Sequence, residues 1–128
     1  MNGIPTGTEL VRAFIPTRDF EVSKRFYETL GFKKVLDGEV AIFRAGSGGF
    51  ILQRFYQREW AENFMMQLMV DNLDAWWAHI STLDLSQFGV QPPRAPAMQP
   101  WGLRVAYLTD PCGVLWHVAQ RREGALQD

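Results

Sequence analysis

Apolar residues in this chain fall into two recurring patterns: short runs that predict strands, and longer stretches with apolar positions three and four apart that predict helices. Leu10 to Pro16 predicts a strand ended by Pro16. Asp19 follows as a helix N-cap, ahead of Phe20, Ser23, Phe26, Tyr27 and Leu30 at helical spacing. Gly31 closes that helix with a left-handed residue. Phe32 to Leu36, Val40 to Ala45 and Phe50 to Phe55 predict three more strands, divided by turns at Asp37-Gly38 and Gly46-Ser47-Gly48-Gly49. The first half therefore reads β-α-β-β-β.

The pattern then restarts. Gln57 to Asn63 is a polar linker with one turn of helix. Phe64 to Val70 predicts a strand, Asp71-Asn72 a cap, and Leu73, Trp76, Trp77, Ile80 and Leu83 a second helix. The proline-rich Gln91 to Pro100 suits an edge strand, because proline cannot donate to a central ladder. Leu103 to Leu108 and Val114 to Ala119 flank Thr109-Asp110-Pro111-Cys112-Gly113 as a β-hairpin. In the last strand, alternation turns Leu115 and His117 to the face opposite Trp116 and Val118.

A shift of about 53 residues lays Asp19 on Asn72, Phe20 on Leu73, Tyr27 on Ile80 and Leu30 on Leu83. A shift of about 64 lays Ala41-Ile42-Phe43 on Val105-Ala106-Tyr107, Gly49 on Gly113 and Gln53 on His117. Caps, helix face and turn glycine recurring in order indicate an internal duplication. The expected organisation is an arm over 1–8, a first βαβββ module over 9–56, a linker over 57–63, a second module over 64–120 and a polar tail over 121–128. The expected class is α+β, tandem βαβββ modules forming a half-open barrel-like mixed sheet with helices outside.

Composition adds constraints. With 128 residues, 47% hydrophobic and a formal charge of −1, the chain suits a small globular protein and gives no support for a nucleic-acid or membrane partner. The N-terminus has no basic-then-apolar signal pattern, and a cytoplasmic protein is expected. Cys112, the single cysteine, reads as a tolerated small residue in a turn.

If the two modules pair about a pseudo-twofold axis, the sheet faces away from the helices would form a concave surface lined by Arg12, Phe14, Gln53, Met65, Gln67, Leu115 and His117. Such a surface, mostly apolar with a few convergent polar groups, suits a small molecule. Trp76 and Trp116 fall at core positions, whereas Trp101, Trp60, Phe55 and Phe64 fall at strand ends or loops. His79 on the second helix reads as a boundary residue. No nucleophile elbow, phosphate loop or paired carboxylates occur, although His117 could act as a base.

Arg18-Asp19-Phe20, Phe26-Tyr27 ahead of Thr29-Leu30-Gly31-Phe32, Val70-Asp71-Asn72-Leu73, Pro100-Trp101-Gly102 and Asp110-Pro111 with Gly113 together span nearly the whole chain. This set resembles the vicinal oxygen chelate superfamily of glyoxalases, ring-cleaving dioxygenases and fosfomycin- and bleomycin-resistance proteins, and most closely the bleomycin-resistance branch. The resemblance implies a homodimer whose pairing completes the clefts. It also places metal ligands of the enzyme members at the positions of Arg12, Gln53, Met65 and His117. A guanidinium cannot ligate and a thioether is too soft for the usual divalent ions, so no metal or other cofactor is expected. By the same resemblance Trp101 borders a drug groove. The expected function is sequestration of an aromatic or hydrophobic ligand, without catalysis. The alternative is a metal-dependent lyase, glutathione transferase or dioxygenase.

Overall fold

The computed structural model describes residues 3–121; the tail expected over 121–128 lies, but for Arg121, outside them. The elements run β1 (Ala13–Pro16), α1 (Phe20–Leu30), β2 (Lys33–Asp37), β3 (Ala41–Ala45), β4 (Gly48–Gln53), α2 (Arg58–Ala61), β5 (Met65–Val70), α3 (Leu73–Ser81), a 3₁₀ turn (Leu85–Phe88), β6 (Arg94–Met98), β7 (Arg104–Thr109) and β8 (Leu115–Gln120). Two four-stranded mixed sheets result, ordered β1-β4-β3-β2 and β5-β8-β7-β6, and neither closes into a barrel. In each sheet the first strand of the module pairs parallel to the last, and the other pairs are antiparallel. The α+β class of tandem βαβββ modules is thus the one expected.

Local chemistry sets the helix ends. The Asp19 carboxylate accepts the Val22 N–H at 3.2 Å and the Asn72 side chain accepts the Ala75 N–H at 2.9 Å, each satisfying one of the donors a helix start leaves free. Gly31 takes φ +105°, the left-handed turn that ends α1. The first strand is shorter than Leu10–Pro16. Ala13 already lies opposite Phe50, and beyond it β4 offers only Gly49 and Gly48, so residues 10–12 have no side chains to pack on and stay exposed.

Both sheets turn the faces that carry their helices toward one core. Ile15, Phe43, Phe50 and Leu52 of the first sheet, Tyr27 and Leu30 of α1, Ile80 of α3, Leu108 and Trp116 of the second sheet, and Val114 of the β7–β8 turn belong to a single buried cluster. Phe50 and Trp116 meet across the modules with ring centroids 5.3 Å apart, and Tyr27 lies 4.7 Å from Phe50 and 5.7 Å from Trp116. Three polar groups cross this joint. The Tyr27 hydroxyl donates to Asp110 Oδ2 at 2.6 Å and accepts the Trp116 indole N–H at 2.9 Å. Asp110 Oδ1 accepts the Cys112 and Val114 N–H groups, which shapes the β7–β8 turn around Pro111 and Gly113. Cys112 is buried beneath α1, its Sγ accepting the Arg18 N–H and 3.3 Å from Ser23 Oγ, a packing role for the turn cysteine. His79 Nε2 lies 2.7 Å from the Leu30 carbonyl, so the histidine ties α3 to the end of α1.

The ladders correct one register. Ala41 and Phe43 point into the core, whereas Val105 and Tyr107 point away from it. Ala41 and Phe43 therefore correspond to Ala106 and Leu108, and Phe50 and Leu52 to Trp116 and Val118. The cause is turn length: β3–β4 closes at Ala45–Gly48, while β7–β8 closes at Thr109–Leu115. The counterpart of His117 is consequently Ile51 and not Gln53, and that of its neighbour Gln67 is Phe14.

Candidate functional site

Because the helix-bearing faces share a core, the opposite face of each sheet points outward, and these two outer faces divide the residues picked out by sequence. On the first sheet, Phe14 lies beside Ile51 and Gln53 beside Pro16. Arg12 precedes β1 on the exposed arm rather than lying within the strand. On the second sheet, Met65 lies beside Leu115 and Gln67 beside His117. Within one chain the two groups do not meet.

The second outer face is the better-formed site. Its floor is apolar, made by Leu103, Val105 and Ala119 with Met69 and Tyr107 against them. His117 stands on this floor between two aromatic rings: Tyr107 packs edge-on at 4.8 Å and Trp101 lies 6.3 Å away, tilted by 35°. Trp101 is delivered by the β6–β7 turn, where the Gly102 N–H donates to the Gln99 carbonyl at 2.9 Å, with Pro100 second and Gly102 last as this turn prefers. Trp101 is 53% exposed, Met65 63% and Phe14 on the other face 48%, an unusual offer of large apolar side chains to solvent.

His117 Nε2 is shielded from water and has no hydrogen-bond partner among the described residues. Burial also pushes the imidazole below its ordinary pKa, so the ring is neutral at pH 7. Such a nitrogen costs stability unless something pairs with it. Arg94 of β6 completes the face, its guanidinium 4.7 Å above the Tyr107 ring. Arg94 and Tyr107 are the residues that sequence reasoning missed. The shift of 64 residues lays Tyr107 on Phe43, a core position, and Arg94 lies in the proline-rich stretch where no alternation assigns a face.

A cavity of about 180 Å³ opens between Arg94, Ala97, Gln99 and Tyr107. That is smaller than the roughly 300–1,000 Å³ of ordinary ligand pockets. A larger cleft of about 690 Å³ lies at the seam of the modules, bordered by Lys33, Arg44, Met69, Asp71 and Trp76, but none of the eight candidate residues lines it. Among the described residues, no three His, Cys, Asp or Glu side chains come together as metal ligands.

Sheet order, tandem modules and an aromatic outer face define a class of small proteins built from paired βαβββ units. The sequence pattern of the Glyoxalase/Bleomycin resistance protein/Dioxygenase superfamily matches residues 9–118, and the chain belongs to this superfamily. A bleomycin resistance protein of Klebsiella pneumoniae is 34% identical over 121 residues, 83% of this chain and 87% of that protein. Among solved structures, a bleomycin-binding protein in complex with bleomycin superposes with a TM-score of 0.75 at 26% identity, covering 90% of this chain and 100% of that one. A bleomycin resistance determinant encoded on transposon Tn5 superposes with a TM-score of 0.73 at 27% identity, covering 90% and 99%.

Proposed function

We propose that this protein binds a flat aromatic or hydrophobic small molecule and withholds it from its target, as an antibiotic-resistance protein does, without transforming it. The observation that carries the reading is the outer face of the second sheet, where Trp101, Tyr107 and the unpartnered His117 Nε2 converge over an apolar floor. The exposed indole of Trp101 beside the half-buried Tyr107 ring suits stacking on a planar ligand. Gln67, Leu115 and Met65 border the same face. The kinship to bleomycin-resistance and bleomycin-binding proteins supports sequestration as the mode of action.

One chain supplies half of this site. A homodimer of twofold symmetry would set the first sheet's outer face, with Phe14, Gln53 and nearby Arg12, opposite the second sheet's face of the partner, enclosing the ligand and covering the exposed apolar residues. No helix among the described residues is long and apolar enough to cross a membrane, and we place the protein in the cytoplasm, with neither membrane nor nucleic acid as partner.

The test is a titration of planar aromatic drugs, bleomycin included, followed by tryptophan fluorescence on protein whose oligomeric state is measured by sedimentation. Saturable quenching that Trp101→Phe abolishes is expected, on a dimer. If no compound perturbs the signal while His117→Ala removes a turnover found on a substrate panel, the binding reading is wrong.

A further inference from the structure

Acidic and basic residues nearly balance over the chain, 14 Asp and Glu against 13 Lys and Arg. The strands break that balance. They hold Lys33, Lys34, Arg44, Arg94 and Arg104 but only one carboxylate, Asp37. Two of these cations are spent on the helix side: Lys34 pairs with Glu28 and Asp37, and Arg104 with Asp74 of α3. Arg94 stands on the second sheet's outer face opposite Tyr107, and Lys33 and Arg44 stand opposite each other on the first sheet. None of these three has a carboxylate partner among the described residues, and neither outer face carries an acidic strand residue.

We propose that the ligand of the second sheet's outer face is an aromatic acid, its carboxylate or equivalent anionic group held by Arg94 and its ring packed among Tyr107, Trp101 and His117. This rests on the binding reading above and narrows it. A guanidinium offers a planar fork of donors that matches a carboxylate two bonds at a time. Arg94 is already held over the Tyr107 ring, so part of the ordering such a pair needs is complete before the ligand arrives. Tyr107 touches both Arg94 and His117, so one molecule can meet the cation with its acid while its ring lies along Tyr107 and the His117 imidazole. A cationic ligand would instead meet an uncompensated positive charge.

The experiment uses three naphthalenes that share one ring system and carry a negative, neutral or positive substituent: 2-naphthoate, 2-naphthalenemethanol and 2-naphthylmethylammonium, each titrated calorimetrically into the full-length protein. The naphthoate is expected to bind about tenfold more tightly than the alcohol and the ammonium more weakly than either, with the preference shrinking as salt rises. Arg94→Gln should weaken the naphthoate about tenfold and leave the alcohol within about twofold, while Arg94→Lys keeps the order of the three. Arg25→Gln, the same charge change on the exposed side of α1, should alter nothing. If the alcohol binds but the naphthoate gains nothing, or the ammonium binds tightest, or Arg25→Gln acts like Arg94→Gln, the anionic preference is overturned and aromatic binding stands. If none of the three binds up to millimolar concentration, aromatic binding at this face is itself refuted and the preference falls with it.

Discussion

Tyr27→Phe probes the joint between the modules. The substitution keeps the ring that packs on Phe50 and Trp116 and removes only the hydroxyl. Two groups lose their partner at once: Asp110 Oδ2 its 2.6 Å donor and the Trp116 indole N–H its 2.9 Å acceptor. Both Asp110 and Trp116 are buried, so water does not replace the hydroxyl. A hydrogen bond to a charged group contributes about 1.5–3 kcal/mol, and a stranded buried donor costs about 1–3 kcal/mol. Since one atom serves both, the expected loss is about 3 kcal/mol at pH 7, a fall in Tm of roughly 10 °C for a domain of this size. The pH dependence has a definite sign. Burial already holds the Asp110 carboxyl above its ordinary pKa against the donors that lower it, and removing Tyr27 as a donor raises it further. The variant therefore takes up its proton at higher pH than the parent, and its deficit shrinks as the pH falls through the variant's raised carboxyl pKa. Urea unfolding at fixed protein concentration, with the slope unchanged, measures the difference. A loss below about 1 kcal/mol at pH 7 would refute the claim that this hydroxyl carries the joint.

Two further outcomes follow from the site and its scaffold. A Cβ on Gly49 would clash with the Phe43 carbonyl oxygen, so Gly49→Ala must spread the β3–β4 ladder and should cost about 1–3 kcal/mol in a thermal melt, whereas Gly48→Ala, with its nearest neighbour 3.9 Å away, should cost far less. The His117 ring should titrate by NMR below its ordinary value of about 6.5, because burial disfavours the imidazolium. Protonation thus opposes folding. The neutral ring's contribution is complete above the unfolded value and declines as the pH falls below it, and His117→Asn should flatten that part of the stability profile.

Much of this architecture is local and was legible in the chain. Asp19 and Asn72 cap helices because their side chains reach the backbone donors a few residues on, and Gly31 ends α1 because it adopts the left-handed turn without a steric penalty. Alternation sets Trp116 on the helix-facing side of its strand and His117 on the opposite side, since successive strand side chains point to opposite faces. What the sequence could not decide was register between strands far apart in the chain. The β7–β8 turn is longer than its counterpart: on β7 the slip is one residue, which turns Tyr107 from the core face to the outer face, and on β8 it is two, which keeps the face and makes Ile51 rather than Gln53 the counterpart of His117. The gathering of Arg94, Trp101 and Tyr107 around His117 depends on sheet pairing and on the turn at Pro100-Trp101-Gly102, so neither periodicity nor spacing announces it. The sequence determined which residues form strands, helices and caps; only the tertiary structure decided that the two helix-bearing faces share one core, and hence that the opposite faces, with His117 and Phe14, point outward.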